Sequence, residues 1–429
     1  MVLAIILVIS PFIPIRTGCD PGAANGVQYT HMNFIQNATT TSVKLQLRRD
    51  LVRTIKRGHA WVYADALRHT PDAPPGTPAI LLDNRGGREI ARGFYDPHGP
   101  IALRICTTQR GETLDDAWAE KRMQRALALR RILFDANTTG YRLFNGEGDG
   151  LPGLVCDVYG DCAVLSLDGK GPESFWDVTN ICQWLVAQLE PGCVYAQSRQ
   201  GEGRILAGKL PQSAISFLEN GMYFTADIVK GQKTGFFLDQ RDNRVRIRKI
   251  SKGKRVLNVF GYTGGFSVAA GLGDAQHITT VDIAEPALAV AKEHWHMNGL
   301  TGEKHEIVVA DAFEFLESAA KQNQKWDLVI LDPPSFAPSE QAVPGAISAY
   351  QKLVAAGARV TKAGGILAAA SCSSHVDINA FLAACEEGIS QARRVAQTLG
   401  IFGQPADHPA PLVMPEFRYL KFVLMQMAD

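Results

Sequence analysis

The stretch Arg255-Val-Leu-Asn-Val-Phe-Gly-Tyr-Thr-Gly-Gly-Phe-Ser267 decides the fold. Val256 to Val259 is apolar on both faces, as a strand covered on two sides must be. Gly261 ends that strand, and a helix is expected to open near Gly264-Gly265. Glycines at such a turn let the backbone approach a ligand and leave helix N–H groups pointing at it. Many α/β proteins carry a turn of this kind, so what recurs downstream carries the functional reading. Outward from this stretch, strands and helices alternate from Asn220 to the C-terminus. A strand at 278–283 precedes a helix at 286–298, and one at 306–309 precedes a helix at 313–321. Strands at 328–331 and 366–370 precede helices at 347–361 and 378–392, and two further strands lie near 394–398 and 419–425. Alternation of this kind implies a parallel sheet with helices on both faces. Ligands of such sheets bind outside the carboxyl ends of the strands, where the strand order switches.

Chemically suggestive residues sit at those ends. The first strand ends in Phe260-Gly261-Tyr262-Thr263-Gly264-Gly265, the second in Asp282-Ile283, the third in Asp311-Ala312, the fourth in Asp332-Pro-Pro-Ser-Phe336. The dinucleotide fingerprint G-x-G-x-x-G is absent from the first turn. Asp282 is placed for ribose hydroxyls, Asp311 for an adenine amino group and Asp332 for a base undergoing reaction. Each aspartate alone also suits a helix N-cap, but the joint pattern reads as an S-adenosylmethionine site. The fifth strand ends in Ser371-Cys372-Ser373-Ser374. Methylating carbon 5 of a pyrimidine needs a nucleophile at carbon 6, and a thiolate supplies one. The alternative for Cys372 is a buried structural cysteine at a strand end.

A chain of 429 residues divides into two or three domains. A hydrophobic content of 46% with 20% charged residues describes a globular protein, and a net charge of +1 gives no overall basicity for nucleic acid. Any such partner must meet a local patch. The eight cysteines include no C-x-x-C pair, so neither a metal site nor a disulfide framework is expected, and reduced cytosolic thiols are. Residues 1–42 read as an extension outside the folded protein, with Met32 a candidate start and a membrane anchor as the alternative for the apolar run at 1–15. From 43 to 112 the chain is a small β-rich unit in which the basic run 44–57 meets Trp61 and Tyr63, compatible with RNA contact or with a solvated charged face. Residues 113–219 hold a helix at 114–134 and an α+β pattern with a helix at 175–189, and 220–429 form the α/β domain. Glu147 and Asp149 are explained by a glycine-flanked turn.

These residues bring a family into view. The blocks Arg57-Gly-His-Ala-Trp-Val-Tyr63, Gly146-Glu-Gly-Asp-Gly-Leu-Pro-Gly153, Lys233-Thr-Gly-Phe-Phe-Leu-Asp-Gln-Arg-Asp242, Leu331-Asp-Pro-Pro-Ser335, Ser371-Cys-Ser373 and Ala406-Asp-His-Pro409, with the opening stretch, resemble the ribosomal RNA large-subunit methyltransferase I type. The likeness runs from about Val43 to the end. It implies an N-terminal PUA domain, a central α+β domain and a class I, Rossmann-like methyltransferase domain. It also implies S-adenosyl-L-methionine as methyl donor and a cytosine of large-subunit rRNA as acceptor. Cys372 would be the nucleophile, Asp332 the group serving the base, and Gln240 and Asp239 would lie near the cofactor. RNA is the implied partner, in the cytoplasm, with a homodimer left open and no stable membrane partner. Two rivals stay open: an amino-group methyltransferase that needs no cysteine, and a non-catalytic RNA-binding assembly factor.

Overall fold

The computed structural model describes residues 33–36, 41–198, 203–231 and 233–428. The extension assigned to 1–42 lies mostly outside them, but it is corrected at its end. Phe34 and Ile35 are 2% exposed; Ile35 bridges Trp176, and the Phe34 N–H donates to Asp116 Oδ1 at 2.6 Å. Burial of two apolar side chains holds this segment against the folded chain.

The first sheet follows from short apolar runs broken by turns. β1 (Val43–Gln46), α1 (Val52–Lys56), β2 (Trp61–Tyr63), β3 (Thr77–Leu82), β4 (Glu89–Tyr95) and β5 (Ile101–Thr107) form a five-stranded sheet in the order β1-β3-β4-β5-β2. α2 (Asp116–Leu133) then starts at Asp115, whose side chain accepts from the Trp118 N–H.

The second sheet contains β6 (Gly140–Asn145), β7 (Leu154–Tyr159), β8 (Cys162–Leu167), α3 (Lys170–Phe175), α4 (Val178–Leu189), β9 (Cys193–Gln197) and β10 (Arg204–Gly208), ordered β10-β9-β8-β7-β6. The helix expected at 175–189 is corrected to two. The Trp176 indole is pinned to the Pro152 carbonyl at 2.9 Å, and Asp177 caps a fresh helix through the N–H groups of Thr179 and Asn180. A hairpin, β11 (Ile215–Glu219) and β12 (Met222–Ala226), leads into α5 (Arg241–Ile250). Its Phe217 and Phe224 pack with Tyr159, Phe236, Val268 and Ala269.

The last part holds β13 (Arg255–Val259), α6 (Gly265–Leu272), β14 (His277–Asp282), α7 (Glu285–Met297), β15 (His305–Val309), α8 (Ala312–Lys321), β16 (Trp326–Leu331), α9 (Val343–Val360), β17 (Thr361–Ser371), α10 (Ile378–Gln391), β18 (Ala396–Phe402) and β19 (Lys421–Met427). Its seven-stranded sheet runs β15-β14-β13-β16-β17-β19-β18. The wholly parallel sheet is corrected here: β19 inserts between β17 and β18, antiparallel to both. Period-two alternation divides the core. Leu257, Val259, Leu331 and Leu367 face Leu316, Tyr350 and Phe381 of the helices on one side. Val256, Leu328, Ile330 and Phe422 face Ile247, Phe266 and Trp295 on the other. β13 pairs with both β14 and β16, so the order reverses beside it, and the crevice expected of such a sheet opens over its carboxyl end.

Candidate active site

Five strand ends are laced together by hydrogen bonds. The Ala310 N–H donates to the Asp282 carbonyl at 3.1 Å, the Gly261 N–H to the Val281 carbonyl at 3.0 Å, and the Asp332 N–H to the Val259 carbonyl at 3.4 Å. The Cys372 thiol completes the row, donating to the Pro333 carbonyl at 3.9 Å. The candidate residues of all five loops therefore stand side by side at the carboxyl ends of neighbouring strands.

The loop after β13 is strained where it was not expected to be. Phe260 (φ 60°) and Tyr262 (φ 45°) occupy the left-handed region, which costs side-chain-bearing residues about 1–3 kcal/mol each. Gly261 is needed for space instead, because a Cβ there would lie 2.3 Å from Thr280 Cγ2. Gly264 meets both demands, with φ 74° and Ala291 Cβ only 2.8 Å from where its own Cβ would stand. The strain is held by partners on either side: the Tyr262 N–H donates to Asp282 Oδ2 at 2.9 Å, and His294 Nδ1 lies 2.8 Å from the Thr263 carbonyl. His294 Nε2 accepts from the Thr225 N–H at 2.9 Å, so Nδ1 carries the proton. Burial pushes this imidazole down to about 4, which keeps it neutral. His294 lay within a helical pattern that carried no functional signal in sequence.

Asp282 accepts the Ala284 N–H on Oδ1 at 2.9 Å. Ile283, beside it, is 71% exposed. Asp311 caps α8 through the N–H groups of Phe313 and Glu314 on Oδ1, so its N-cap role is real; Oδ2 has no hydrogen-bond partner among the described residues. The Ala312 side chain is buried in the apolar core. α6 begins at Gly264 without a side-chain cap, so its first N–H groups are free for a ligand. An adenosine-bearing methyl donor fits this lining: an anionic acceptor at Asp282, an open apolar surface at Ile283, an unused carboxylate oxygen at Asp311 and uncapped helix donors. A cavity of about 900 Å³ lies elsewhere, between α10 and the edge strand β18. It is lined by Leu382, Ile389 and Ile401 among others and lacks this combination of groups.

At the other end of the crevice Gln240 turns toward Asp332, donating from Nε2 to Oδ1 at 2.9 Å, while its Oε1 accepts from Asn243 at 2.7 Å. Burial, and next the Asp239 carboxylate, pushes the Asp332 carboxyl up to about 7, against the Gln240 hydrogen bond and the charges of Arg244 and Lys233. Burial also opposes ionisation of Asp239. The Lys233 ammonium at 2.8 Å, with His408 and the Tyr419 hydroxyl at 2.7 Å, outweighs it and holds Asp239 well below the usual carboxylate range. Cys372 is half-buried, whereas Cys106, Cys156, Cys162, Cys182, Cys193 and Cys385 are buried. Burial, then the Asp332 carboxylate, pushes the Cys372 thiol up to about 11.

These shifts make a stability prediction. An acid whose carboxyl is raised on folding destabilises the native state once the unfolded chain would ionise. Wild-type stability is therefore lost as pH rises from about 4 to about 7. Asp332→Asn should be more stable than wild type at pH 8 by on the order of 2–4 kcal/mol, an advantage that fades toward pH 4. Urea unfolding at pH 8 and pH 5 checks it; a variant no more stable at pH 8 than at pH 5, relative to wild type, would refute the assignment.

The segment between Asp407 and β19 also reaches this site. The Ala60 N–H donates to Met414 Sδ at 3.3 Å, Phe417 packs on Trp61 with ring centroids 5.2 Å apart, and Tyr419 then reaches Asp239.

Comparison with known proteins agrees with this architecture. Residues 179–392 match the S-adenosylmethionine-dependent methyltransferase family, and residues 45–108 match a PUA-like domain. A ribosomal RNA large subunit methyltransferase of Deinococcus radiodurans is 37% identical over 402 residues, covering 90% of this chain and 97% of that protein. The ribosomal RNA large subunit methyltransferase I of Photobacterium profundum is 36% identical over 392 residues, covering 89% and 98%. A crystal structure of a methyltransferase complexed with SAH superposes with a TM-score of 0.80 at 25% identity, covering 90% of this chain and 100% of that one. The sheet order and the matched domains define a class I methyltransferase that uses S-adenosylmethionine and carries a PUA-like domain. The chain belongs to the ribosomal RNA large subunit methyltransferase I family.

Proposed function

We propose that this protein methylates carbon 5 of a cytosine in large-subunit ribosomal RNA through a cysteine adduct at carbon 6. The observation that carries this reading is the Cys372 thiol at 3.9 Å from the Pro333 carbonyl, beside the half-ionising Asp332. An exocyclic amino group needs no thiol there. The target cytosine enters the crevice unstacked, because its carbon 6 is shielded within a helix. Asp332, with a carboxyl near neutrality, holds a proton against ring N3. Cys372 Sγ bonds to carbon 6 as its thiol proton passes to solvent, the electron pair of the 5,6 double bond becomes a 4,5 double bond, and the 3,4 pair moves to N3, which takes the Asp332 proton. S-adenosylmethionine, when bound, supplies the methyl group that carbon 5 accepts. Loss of the carbon 5 proton to solvent re-forms the 5,6 double bond and releases Cys372 as thiolate, which takes up a proton from solvent, while N3 returns its proton to Asp332.

Asp282, Ile283, Asp311, Ala312 and the loop Phe260 to Gly265 would hold the donor, with Gln240 acting through Asp332. Asp282→Ala should weaken S-adenosylhomocysteine binding about 10- to 100-fold, since hydrogen bonds to a charged acceptor contribute roughly 1.5–3 kcal/mol. Isothermal titration calorimetry reads this directly, and unchanged affinity would remove Asp282 from the donor site. The reaction itself is tested with purified protein, S-adenosylmethionine and unmodified large-subunit rRNA. Mass spectrometry of the digested nucleosides should show 5-methylcytidine; a nitrogen-methylated base would replace this reading with the amino-group reaction.

A further inference from the structure

We propose that Lys421 is the counter-ion that stabilises the Cys372 thiolate, a positioning residue of the methyl-transfer site. The proposal rests on Cys372 being the nucleophile. β19 brings the lysine there by register: Lys421 lies opposite Ser371 across the antiparallel pair β17–β19, one residue before the thiol. Its Nζ donates to the Ser373 carbonyl at 2.6 Å and to the Tyr419 carbonyl at 2.7 Å. The first of these fixes the ammonium against the residue that follows Cys372. An ammonium has three N–H donors, and two are engaged.

Lys421 is 3% exposed, yet no carboxylate forms an ion pair with it among the described residues. A buried cation without a counter-ion is costly, and that cost is relieved when a negative charge forms beside it. The groups around both partners identify where that charge forms. Cys372 faces the carboxylates of Asp332 and Asp239, which oppose its ionisation, and the ammonium groups of Lys233 and Lys421, which favour it; the Tyr350 phenol also senses it. Lys233 is committed to Asp239 and its side chain is 42% exposed, whereas Lys421 is enclosed and holds only main-chain carbonyls. Burial pushes the Lys421 ammonium down to about 8, with Cys372 and then Asp377 acting the other way. Asp377 is engaged in capping α10.

The test is the rate of Cys372 alkylation by iodoacetamide at pH 7, where Lys421 carries its charge, followed at the Cys372 peptide by mass spectrometry. Lys421→Met removes the charge, Lys421→Gln removes it while keeping two donors for the carbonyls, and Lys421→Arg retains it. The rate should fall about tenfold in both neutral variants, the equivalent of one pH unit in thiolate population, and Lys421→Arg should stay within about threefold of wild type. A purely structural lysine would change thermal stability without changing that rate. A neutral variant that folds and is alkylated as fast as wild type overturns the proposal, as does an arginine variant that behaves like the neutral ones. Failure of the cysteine reading is separate: Cys372→Ala would then retain turnover whatever the alkylation rates do.

Discussion

Replacing Cys372 with alanine is expected to abolish methyl transfer, with a loss of roughly 10⁴-fold or more, while leaving donor binding and stability near wild type. The physical basis is the inertness of pyrimidine carbon 5 until a nucleophile adds at carbon 6. A methyl side chain cannot form that bond. The thiol contributes little to packing, because it is half-buried at the crevice rim and its hydrogen bond is a long sulfur contact of 3.9 Å. A second readout does not depend on turnover. RNA carrying 5-fluorocytidine cannot release fluorine as a cation at carbon 5, so the adduct should accumulate on wild-type protein as a denaturation-resistant complex and be absent with Cys372→Ala. Wild-type turnover by the alanine protein would make the cysteine structural.

The largest loss of stability is expected from Asp407→Ala. Asp407 is fully buried and accepts from Arg241 on both oxygens, at 2.9 and 2.5 Å, and from the Arg142 N–H at 2.9 Å. Burial raises its carboxyl, but His408 and Arg241 outweigh that and hold it far below the usual range. Truncation leaves the Arg241 guanidinium, itself 2% exposed, buried with only the longer contact of its Nε to Asp242 Oδ1 at 3.7 Å. Breaking such a pair costs about 3–5 kcal/mol, whereas replacing both partners by apolar groups costs much less. Urea unfolding at neutral pH should show that loss in Asp407→Ala and partial recovery in Asp407→Ala/Arg241→Met. A single-variant loss below about 1 kcal/mol would show the pair to be dispensable. Because the carboxyl is depressed on folding, the contribution is present above the ordinary carboxylate range and is lost only in strong acid.

The α/β part was legible because buried strands and amphipathic helices have different periods, and the acidic strand ends stand out against apolar runs. Asp282, Asp311, Asp332 and Cys372 were found this way, and they do lie at neighbouring strand ends. Other features were hidden. The insertion of β19 between β17 and β18 depends on long-range pairing that local pattern does not encode. The split at Trp176–Asp177 turned on one indole hydrogen bond. Glu147 and Asp149, read only as turn residues, are the carboxylate partners of Arg104 and Arg130. Such pairs join residues far apart in sequence, and neither partner looks unusual alone. Lys421 was missed for the same reason, since a lysine in a closing strand carries no sign that its ammonium is buried. The loop after β13 was read through its glycines, whereas the left-handed residues there are Phe260 and Tyr262.

The segment from Met414 to Lys421 has a bearing on how this chain can be taken apart. Met414 and Phe417 belong to Ala60 and Trp61, while Tyr419 and Lys421 belong to Asp239 and Ser373. One short run of backbone thus joins the N-terminal sheet to the candidate site. The N-terminal sheet is no detachable cartridge. A chimaera that swaps residues 43–107 for an unrelated RNA-binding module would strip the lining from Met414 and Phe417 and loosen the grip on the two side chains beyond them. Graftable versions of this protein will need to carry Ala60 and Trp61 along with the methyltransferase domain.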